Sequence, residues 1–308
     1  MDNDRLMDIQ WYPGHMTKTK RMLVTQMKLV DVVVELLDAR VPMSSRNPDL
    51  DTLAKDKRRV LVLNKADLAD PDTTAQWEEY FRQLGFFALA VNAKDNDKKK
   101  GGTGRMAAKL QEIMRPKSQQ QLKRGRVNIP IRAMIVGIPN VGKSTFINQL
   151  AGRASTITAD RPGVTRGRQW IKIDNSFDLM DTPGVLWPKF EDQMVGLRLA
   201  VTGAVSDNIL DKITLCEHLI KMLMEIDPQI LSKRYKTDLT PPMPPREILT
   251  EIGAARGFKM KGGIIDIERA AIIITDEFRG GKLGRISLEK PPEEKSSEAS
   301  PPTPPPAF

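Results

Sequence analysis

The stretch "IRAMIVGIPNVGKSTFINQLAG", residues 131–152, decides the fold of this chain. Its apolar run predicts a buried strand, a Gly-rich turn follows, and "STFINQLAG" begins a predicted helix. The turn fits the spacing G-x-x-x-x-G-K-[ST] with Gly137, Gly142, Lys143 and Ser144. Such a loop brings backbone N–H groups to phosphate oxygens, while its lysine reaches the β- and γ-phosphates. The stretch therefore predicts a phosphate-binding loop in an α/β domain.

The same loop supplies most of the expected phosphate contacts. Lys143 is the expected catalytic cation, and the Ser144 hydroxyl is an expected Mg²⁺ ligand. An accidental Gly-rich turn is the alternative interpretation, which the flanking strand and helix disfavour. The loop residues expected to bind the nucleotide are Asn140, Val141, Gly142, Lys143, Ser144 and Thr145.

A second phosphate-side motif, "DTPG", occupies residues 181–184. Asp181 ends a predicted strand, where a carboxylate can reach Mg²⁺ through water, and Gly184 can offer its N–H to a γ-phosphate. Between the two motifs, Thr165 in "DRPGVTRG" is the expected switch threonine that ligates Mg²⁺ and senses the γ-phosphate. Thr156 and Thr158 are close rivals for that role.

Selection of the base is expected from "NKAD", residues 64–67, at the end of another predicted strand. Asp67 can accept hydrogen bonds from N1–H and the exocyclic amine of guanine, whereas adenine offers no such pair of donors. Asn64 and Lys65 complete this motif. The motif occurs by chance in many proteins, but a phosphate loop in the same chain favours a true base-binding motif over a chance match. The expected nucleotide is GTP.

A short motif at the end of a third predicted strand supports the same base. "NAK" comprises Asn92, Ala93 and Lys94. The Ala93 N–H can donate to guanine O6.

The residue after Gly184, however, is Val185, where common small GTPases carry a Gln that orients the attacking water. Another group must therefore place the water.

The order of these motifs is unusual because the guanine motifs precede the phosphate loop. A cyclic permutation preserves the sheet, since the ends of a compact domain usually lie close enough to be joined. The predicted fold class is α/β: a circularly permuted P-loop domain with a mostly parallel sheet and helices on both faces. The basic stretch 95–130 is the expected junction.

The domain boundaries follow from changes in pattern along the chain. Residues 1–187 are the expected GTP-binding domain, and residues 188–285 turn to helical periodicity, which predicts a smaller all-α domain. From Ile286 to Phe308 the chain is rich in Pro, Ser and Glu, which predicts a disordered tail. Predicted helices are 104–114, 190–201, 211–226, 246–256 and 266–279, with shorter helix-forming segments near 47–57 and 73–84.

Charge and composition narrow the class of protein. The net charge is +9, and residues 95–132 hold eleven Lys or Arg against three acidic residues. This stretch is either a solvated linker face or a polyanion-binding surface. No apolar run is long enough to span a bilayer, and the single Cys216 fits a reducing compartment, which together predict a cytoplasmic protein without membrane contact.

In combination, "WYPGHM" (11–16), "DARVP" (38–42), "NKAD", "GIPNVGKST", "PGVT" and "DTPG" resemble the circularly permuted GTPases, and most closely the ribosome biogenesis GTPase A family. The resemblance covers roughly residues 8–285. It implies a monomeric GTPase that promotes late assembly of the large (50S) ribosomal subunit by binding that subunit and its rRNA, which stimulates hydrolysis. The family usually has Ser-Ala-Lys where this chain has Asn92-Ala93-Lys94.

The resemblance also implies two further roles. The histidine of the Pro-Gly-His motif is implicated in hydrolysis, which maps onto His15, although a capping or packing histidine is the alternative. Asn140 holds the position of a K⁺ ligand in potassium-activated GTPases, although it can equally serve only the turn of the loop. His218, on a predicted helix, is expected to be structural. Competing functions are a GTP-dependent RNA-binding switch with incidental hydrolysis and a GTPase of tRNA modification or membrane traffic.

Overall fold

The structure, a computed structural model, describes residues 16–95, 102–123, 130–151, 169–173, 177–182, 184, 192–205, 211–239 and 243–292. The described residues fall into two compact units. One lies within Tyr12–Lys189 and includes the described residues from Glu289 onward. The other lies within Phe190–Leu288.

The first unit is built on a six-stranded sheet. Its strands are β1 (Val32–Asp38), β2 (Arg58–Asn64), β3 (Phe87–Val91), β4 (Ile131–Gly137), β5 (Gln169–Lys172) and β6 (Phe177–Asp181). The strand order is β3-β2-β1-β4-β6-β5, and every neighbouring pair is parallel except β5 with β6. The mostly parallel sheet is confirmed.

Burial along the central strands shows that both faces of this sheet are covered. All seven residues of β1 are buried, so side chains that point to opposite faces are equally shielded. The helices described in this unit are α1 (Met16–Met27), α2 (Asp49–Leu53), α3 (Pro71–Gln83), α4 (Gly102–Lys123) and α5 (Lys143–Ala151).

Two of these helices differ in length from the sequence-based expectation. α4 continues to Lys123 instead of ending at 114. The added residues are mostly Gln, Lys and Arg, which favour helix. They show no apolar periodicity, so the sequence pattern did not predict this extension. It occupies much of the basic junction between β3 and β4. α2 spans only five residues of the segment expected near 47–57.

An aromatic cluster joins α3 to the sheet. Asp70 caps the helix by accepting from the Thr73 N–H, and Pro71 occupies the first turn, where its missing donor costs nothing. The helix buries Trp77 and Phe81, whose rings stack with centroids 5.4 Å apart. These rings pack with Phe86 and strand residues into one hydrophobic cluster.

The predicted boundary of the disordered tail is corrected at its start. Ile286 and Leu288 are buried. The Glu289 carboxylate accepts from the Ser44 N–H (3.0 Å) and hydroxyl (2.6 Å), and its carbonyl accepts from Trp77 Nε1 (3.2 Å). The average composition of the tail is dominated by Pro, Ser and Glu, and it therefore did not reveal the few side chains that anchor its start. Residues 293–308 lie outside the described residues.

The second unit is helical in its described residues. Its helices are α6 (Gln193–Val201), α7 (Lys212–Ile226), α8 (Ile230–Tyr235), α9 (Pro245–Ala255) and α10 (Ile267–Arg279). α7 packs against the other four, which explains why Cys216 on α7 is fully buried. Asp211 and Asp266 cap α7 and α10 by accepting first-turn N–H groups. Within the described ranges, no helix combines the length and apolarity needed to cross a bilayer.

Candidate nucleotide-binding site

Motifs that are far apart in the sequence meet at one edge of the sheet. Asp38 pairs with Asn64 in the register of β1 and β2, and Asn64 pairs with Val91 at the end of β3. Gly137 pairs with Leu36, which precedes the end of β1 by two residues. The carboxyl ends of parallel strands are where α/β domains bind ligands. The permuted order of motifs therefore yields one continuous site.

The phosphate loop connects β4 to α5 and requires glycine at two contacts. A Cβ at Gly137 would lie 2.7 Å from the Leu36 carbonyl oxygen, and one at Gly142 would lie 2.5 Å from Asn64 Nδ2. Gly142 also has φ +96°, which side chains disfavour. The loop ends in the exposed Ser144 and Thr145, which open α5. Helix N-termini with free N–H groups favour anions, so the loop is suited to phosphates.

Lys143 is folded back onto its own loop. Its Nζ donates to the carbonyl oxygens of Ile138 (2.9 Å) and Gly137 (3.2 Å). Burial lowers the pKa of Lys143 to about 8, against the opposing charge of Asp181. A bound triphosphate would supply the negative charge that favours the protonated ammonium.

Asp181 offers a carboxylate suited to a divalent cation. Burial raises the pKa of Asp181, and the charge of Lys143 and the Thr182 N–H offset this only in part. Its Oδ1 atom is buried without a hydrogen-bond partner in the described structure. The exposed Ser144 hydroxyl offers a second hard oxygen donor of the kind that Mg²⁺ prefers. The residues present therefore fit Mg²⁺.

Gly184 lies against the phosphate loop. A Cβ there would come within 2.9 Å of the Pro139 backbone and 3.1 Å of Lys143 Nζ. The preceding Thr182 is anchored because its hydroxyl donates to the Ile135 carbonyl oxygen (2.7 Å). Glycine at 184 thus lets the backbone of this motif approach the place where a γ-phosphate would lie.

Asn64 ties the guanine motifs to the phosphate loop. Its side chain is 2% exposed; Nδ2 donates to the Val141 carbonyl oxygen (2.8 Å), and Oδ1 accepts from the Ala93 N–H (3.1 Å). A buried amide satisfied at both ends fixes the separation of the loops it joins. Asn64 therefore holds base-side and phosphate-side elements in register.

The base-side loops present the groups expected to select guanine. Asp67 is exposed, and the neighbouring Ala66 N–H donates to the Val91 carbonyl oxygen (3.2 Å), which holds its loop beside "NAK". The Asn92 side chain accepts from the N–H of the exposed Lys94 (2.9 Å). Asparagine makes this local turn as serine can, which explains why the departure from Ser-Ala-Lys is tolerated.

One residue of the site was quoted in the sequence only as part of "DARVP". Asp38 is 2% exposed and accepts from Arg40 Nε (2.9 Å) and Nη2 (2.8 Å) and from Lys65 Nζ (2.9 Å). Burial opposes its charge, but the two cations outweigh burial and hold the pKa of Asp38 well below its usual range. Lys65, with φ +61°, is thereby fixed between Asn64 and Asp67. No local pattern indicates this pairing of Asp38 with Lys65, since the two residues lie 27 positions apart.

Comparison with known proteins agrees with this geometry. The sequence family described as 50S ribosome-binding GTPase matches residues 132–238. Ribosome biogenesis GTPase A from Bacillus cereus is 45% identical over 93% of this chain and 95% of its own length. The chain belongs to the ribosome biogenesis GTPase A family. The relative from Bacillus pumilus is 44% identical over 92% of this chain and 99% of its own length. GNP-bound YlqF from T. maritima has a TM-score of 0.60 at 26% identity, covering 90% of this chain and 99% of that one.

Membership in the ribosome biogenesis GTPase A family confirms the resemblance, the fold class and the enzyme class: the protein is a GTP hydrolase. Several predicted residues of this GTPase lie outside the described residues, namely His15, Thr156, Thr158, Thr165 and Val185. His218 lies on α7 in the helical unit. The catalytic role of His15 and the metal role of Thr165 therefore stay predictions.

We expect Asp38→Asn to weaken GDP binding by about tenfold or more, because the buried Arg40 loses its counter-charge and Lys65 loses its anchor. Isothermal titration with GDP and with inosine diphosphate, which lacks the 2-amino group, measures both affinity and base selection. Glu35→Gln is a matched control: Glu35 is 1% exposed on the same strand and pairs with Arg59 at 2.6 Å. It should lower thermal stability without changing the ratio of the two affinities. An equal loss of GDP affinity in both variants would restrict Asp38 to a structural role.

Proposed function

We propose that this GTPase hydrolyses GTP to GDP and phosphate while bound to the precursor of the large ribosomal subunit, and that it thereby promotes late 50S assembly. The observation that carries the nucleotide part is the Asn64 side chain, which joins the phosphate loop at Val141 to the guanine loop at Ala93. The names of the relatives and of the matching family support the ribosomal part. The proposal places the reaction in the cytoplasm and treats the protein as a monomer.

The proposed base recognition uses the loops that Asn64 joins. Asp67 accepts from guanine N1–H and the 2-amino group, and the Ala93 N–H donates to O6. Lys65, held by Asp38, contributes its aliphatic stem beside the base. Asn92 and Lys94 shape the turn that presents Ala93. Two observations support these roles: Asp67 is exposed and can contact a base, whereas Asn64 is buried and holds the loops.

The proposed hydrolysis is an in-line attack of water on the γ-phosphate. Lys143 exchanges its loop carbonyls for β- and γ-phosphate oxygens and neutralises their developing charge. Ser144, Thr165 and Asp181 would hold Mg²⁺, which when bound neutralises phosphate charge. Gly184 offers its N–H to the γ-phosphate. Because Val185 has no polar group, we assign the placement of water to His15.

We propose that the basic junction and the helical unit each contribute contacts to rRNA. Of the junction, α4 presents the exposed Arg105 and Arg115, which supports a role for this stretch in binding a polyanion. Helical residues 188–285 are the proposed RNA-binding domain, and the compact unit in fact extends to Leu288. With only 5% aromatic residues, the protein is expected to hold rRNA mainly through phosphates.

Turnover and binding with purified 50S subunits test the proposal. GTP hydrolysis should be slow for the isolated protein and strongly stimulated by 50S, and the logarithm of the association constant should fall linearly with that of the salt concentration. Normal binding without stimulation would instead support a GTP-dependent binding switch with incidental hydrolysis. Absence of both binding and stimulation would refute the ribosomal role and leave the GTPase assignment intact.

A separate prediction concerns a monovalent cation. We propose that the Asn140 side chain helps to hold K⁺ beside the phosphates, where it stabilises transition-state charge. Asn140 has φ +56°, a conformation that Asn and Gly tolerate, so the residue also suits the turn itself. K⁺ should therefore accelerate hydrolysis well above Na⁺ at matched ionic strength. Asn140→Gly keeps the turn but removes the ligand, and it should abolish this preference; a preference that survives would restrict Asn140 to the turn.

A further inference from the structure

The connection between α9 and α10 forms a short β-hairpin, which we call the basic hairpin (residues 257–265). Lys259 and Ile265 form an antiparallel bridge. The Met260 N–H donates to the Ile264 carbonyl oxygen (2.8 Å), and the Gly263 N–H donates to the Met260 carbonyl oxygen (3.1 Å). Gly262 (φ +92°) and Gly263 (φ +82°) close a three-residue loop, which is one of the common lengths of a hairpin connection. The segment is thus a defined structural element.

The basic hairpin projects away from the rest of its unit. A Cβ added at Gly257, Gly262 or Gly263 would meet no described atom within 4 Å. Residues 259–264 are all exposed, whereas the base of the hairpin is held by the Arg269 guanidinium, 4.9 Å from the Phe258 ring centroid. The tip therefore presents side chains outward from a fixed base.

The exposed tip combines apolar and cationic side chains. Ile264 (64%) and Met260 (50%) are the most exposed large hydrophobic residues of the described chain, and they face each other across the hairpin. Lys259 and Lys261 flank Met260, and neither forms a salt bridge among the described residues. No acidic residue occurs between Glu251 and Asp266. Folding alone gives no reason to expose such a pair of apolar residues together.

We propose that the basic hairpin is an RNA-binding element of the helical unit, in which Lys259 and Lys261 contact phosphates while Met260 and Ile264 pack against an exposed base. This inference rests on the proposed ribosomal function and names one surface that serves it. Apolar wedges such as Met and Ile insert beside nucleic-acid bases when flanking cations hold the backbone. A protein partner is less well matched, because lysine is depleted from protein–protein interfaces.

Two double variants of the full-length protein test the proposal against 50S subunits and against naked 23S rRNA. Lys259→Gln with Lys261→Gln should make the salt dependence of binding less steep by about 1.4 to 1.8 units in log–log slope, since two phosphate contacts are lost. Met260→Ser with Ile264→Ser should weaken both associations by about tenfold with the slope unchanged. Basal GTP hydrolysis and thermal stability should match those of the unmodified protein, because the tip has no packing role.

Matched controls are Ile226→Ser, at an apolar residue with 48% exposure in the same unit, and Lys28→Gln with Lys55→Gln, at exposed lysines of the other unit. Both controls should leave binding unchanged. Weaker binding of the apolar variant to 50S alone, with normal binding to naked rRNA, would overturn the RNA assignment in favour of a protein contact. Normal binding of both hairpin variants would overturn the hairpin but not the proposed function. If the unmodified protein bound neither particle nor rRNA, both would fail.

Discussion

Asp67→Asn is expected to weaken GTP binding by about a hundredfold, because two hydrogen bonds to a charged acceptor are worth about 3 kcal/mol together. The same change should create binding of xanthosine triphosphate, whose O2 accepts a hydrogen bond from the new amide. Asp67 is exposed in the loop after β2, so the substitution leaves the buried contacts of Asn64 in place. Burial lowers the pKa of Arg40, but the charges of Asp38 and Asp67 raise it, and the net shift is upward. Asp67 therefore lies near this fixed cation.

Titration of both nucleotides against both proteins measures this exchange of specificity. Asp72→Asn, at an exposed aspartate in the first turn of α3, is the matched control and should leave both affinities unchanged. Asn64 must stay intact in these proteins, because its contacts to Val141 and Ala93 hold the site together. Unchanged GTP affinity of the Asp67 variant would remove Asp67 from the base site.

His15→Ala is expected to abolish most of the stimulation of GTP hydrolysis by 50S subunits, a loss of about a thousandfold. The chain has Val185 after Gly184, so the position that carries the water-orienting Gln in common small GTPases has no polar group here. His15 belongs to the segment before α1, and the ribosome is expected to order it together with the switch around Thr165. Completion of a catalytic site on binding accounts for slow turnover of the isolated protein.

Single-turnover rates with saturating 50S separate this role from binding. The variant should retain its affinity for a non-hydrolysable GTP analogue and for the particle, because only the transition state loses a contact. The only other histidine, His218, provides the control: His218→Gln should keep full stimulation. If His15→Ala retained stimulated turnover, His15 would be structural, and water would be placed by the ribosome or by another group.

The sequence by itself determined the sheet, the phosphate loop and most helices of this GTPase. The need for glycine at 137 and 142 is a local steric requirement, so the spacing of the loop motif predicts it. The structure shows the backbone and side-chain atoms that a Cβ would meet at these positions. Helical periodicity located α7 and α10 to within a few residues because each has one buried face. The permuted motif order was equally readable, since strands and their terminal motifs keep their local patterns wherever the chain is opened.

Tertiary structure alone decided which polar side chains act together. Asn64 meets Val141 at a separation of 77 residues, Lys65 meets Asp38 across 27, and Glu289 meets Ser44 across 245. Periodicity and propensity describe a residue by its neighbours in sequence, and they reveal that a side chain is buried or polar but not what it pairs with. A buried charge or amide is stable only when a partner satisfies it, and that partner is supplied by the packing of distant segments.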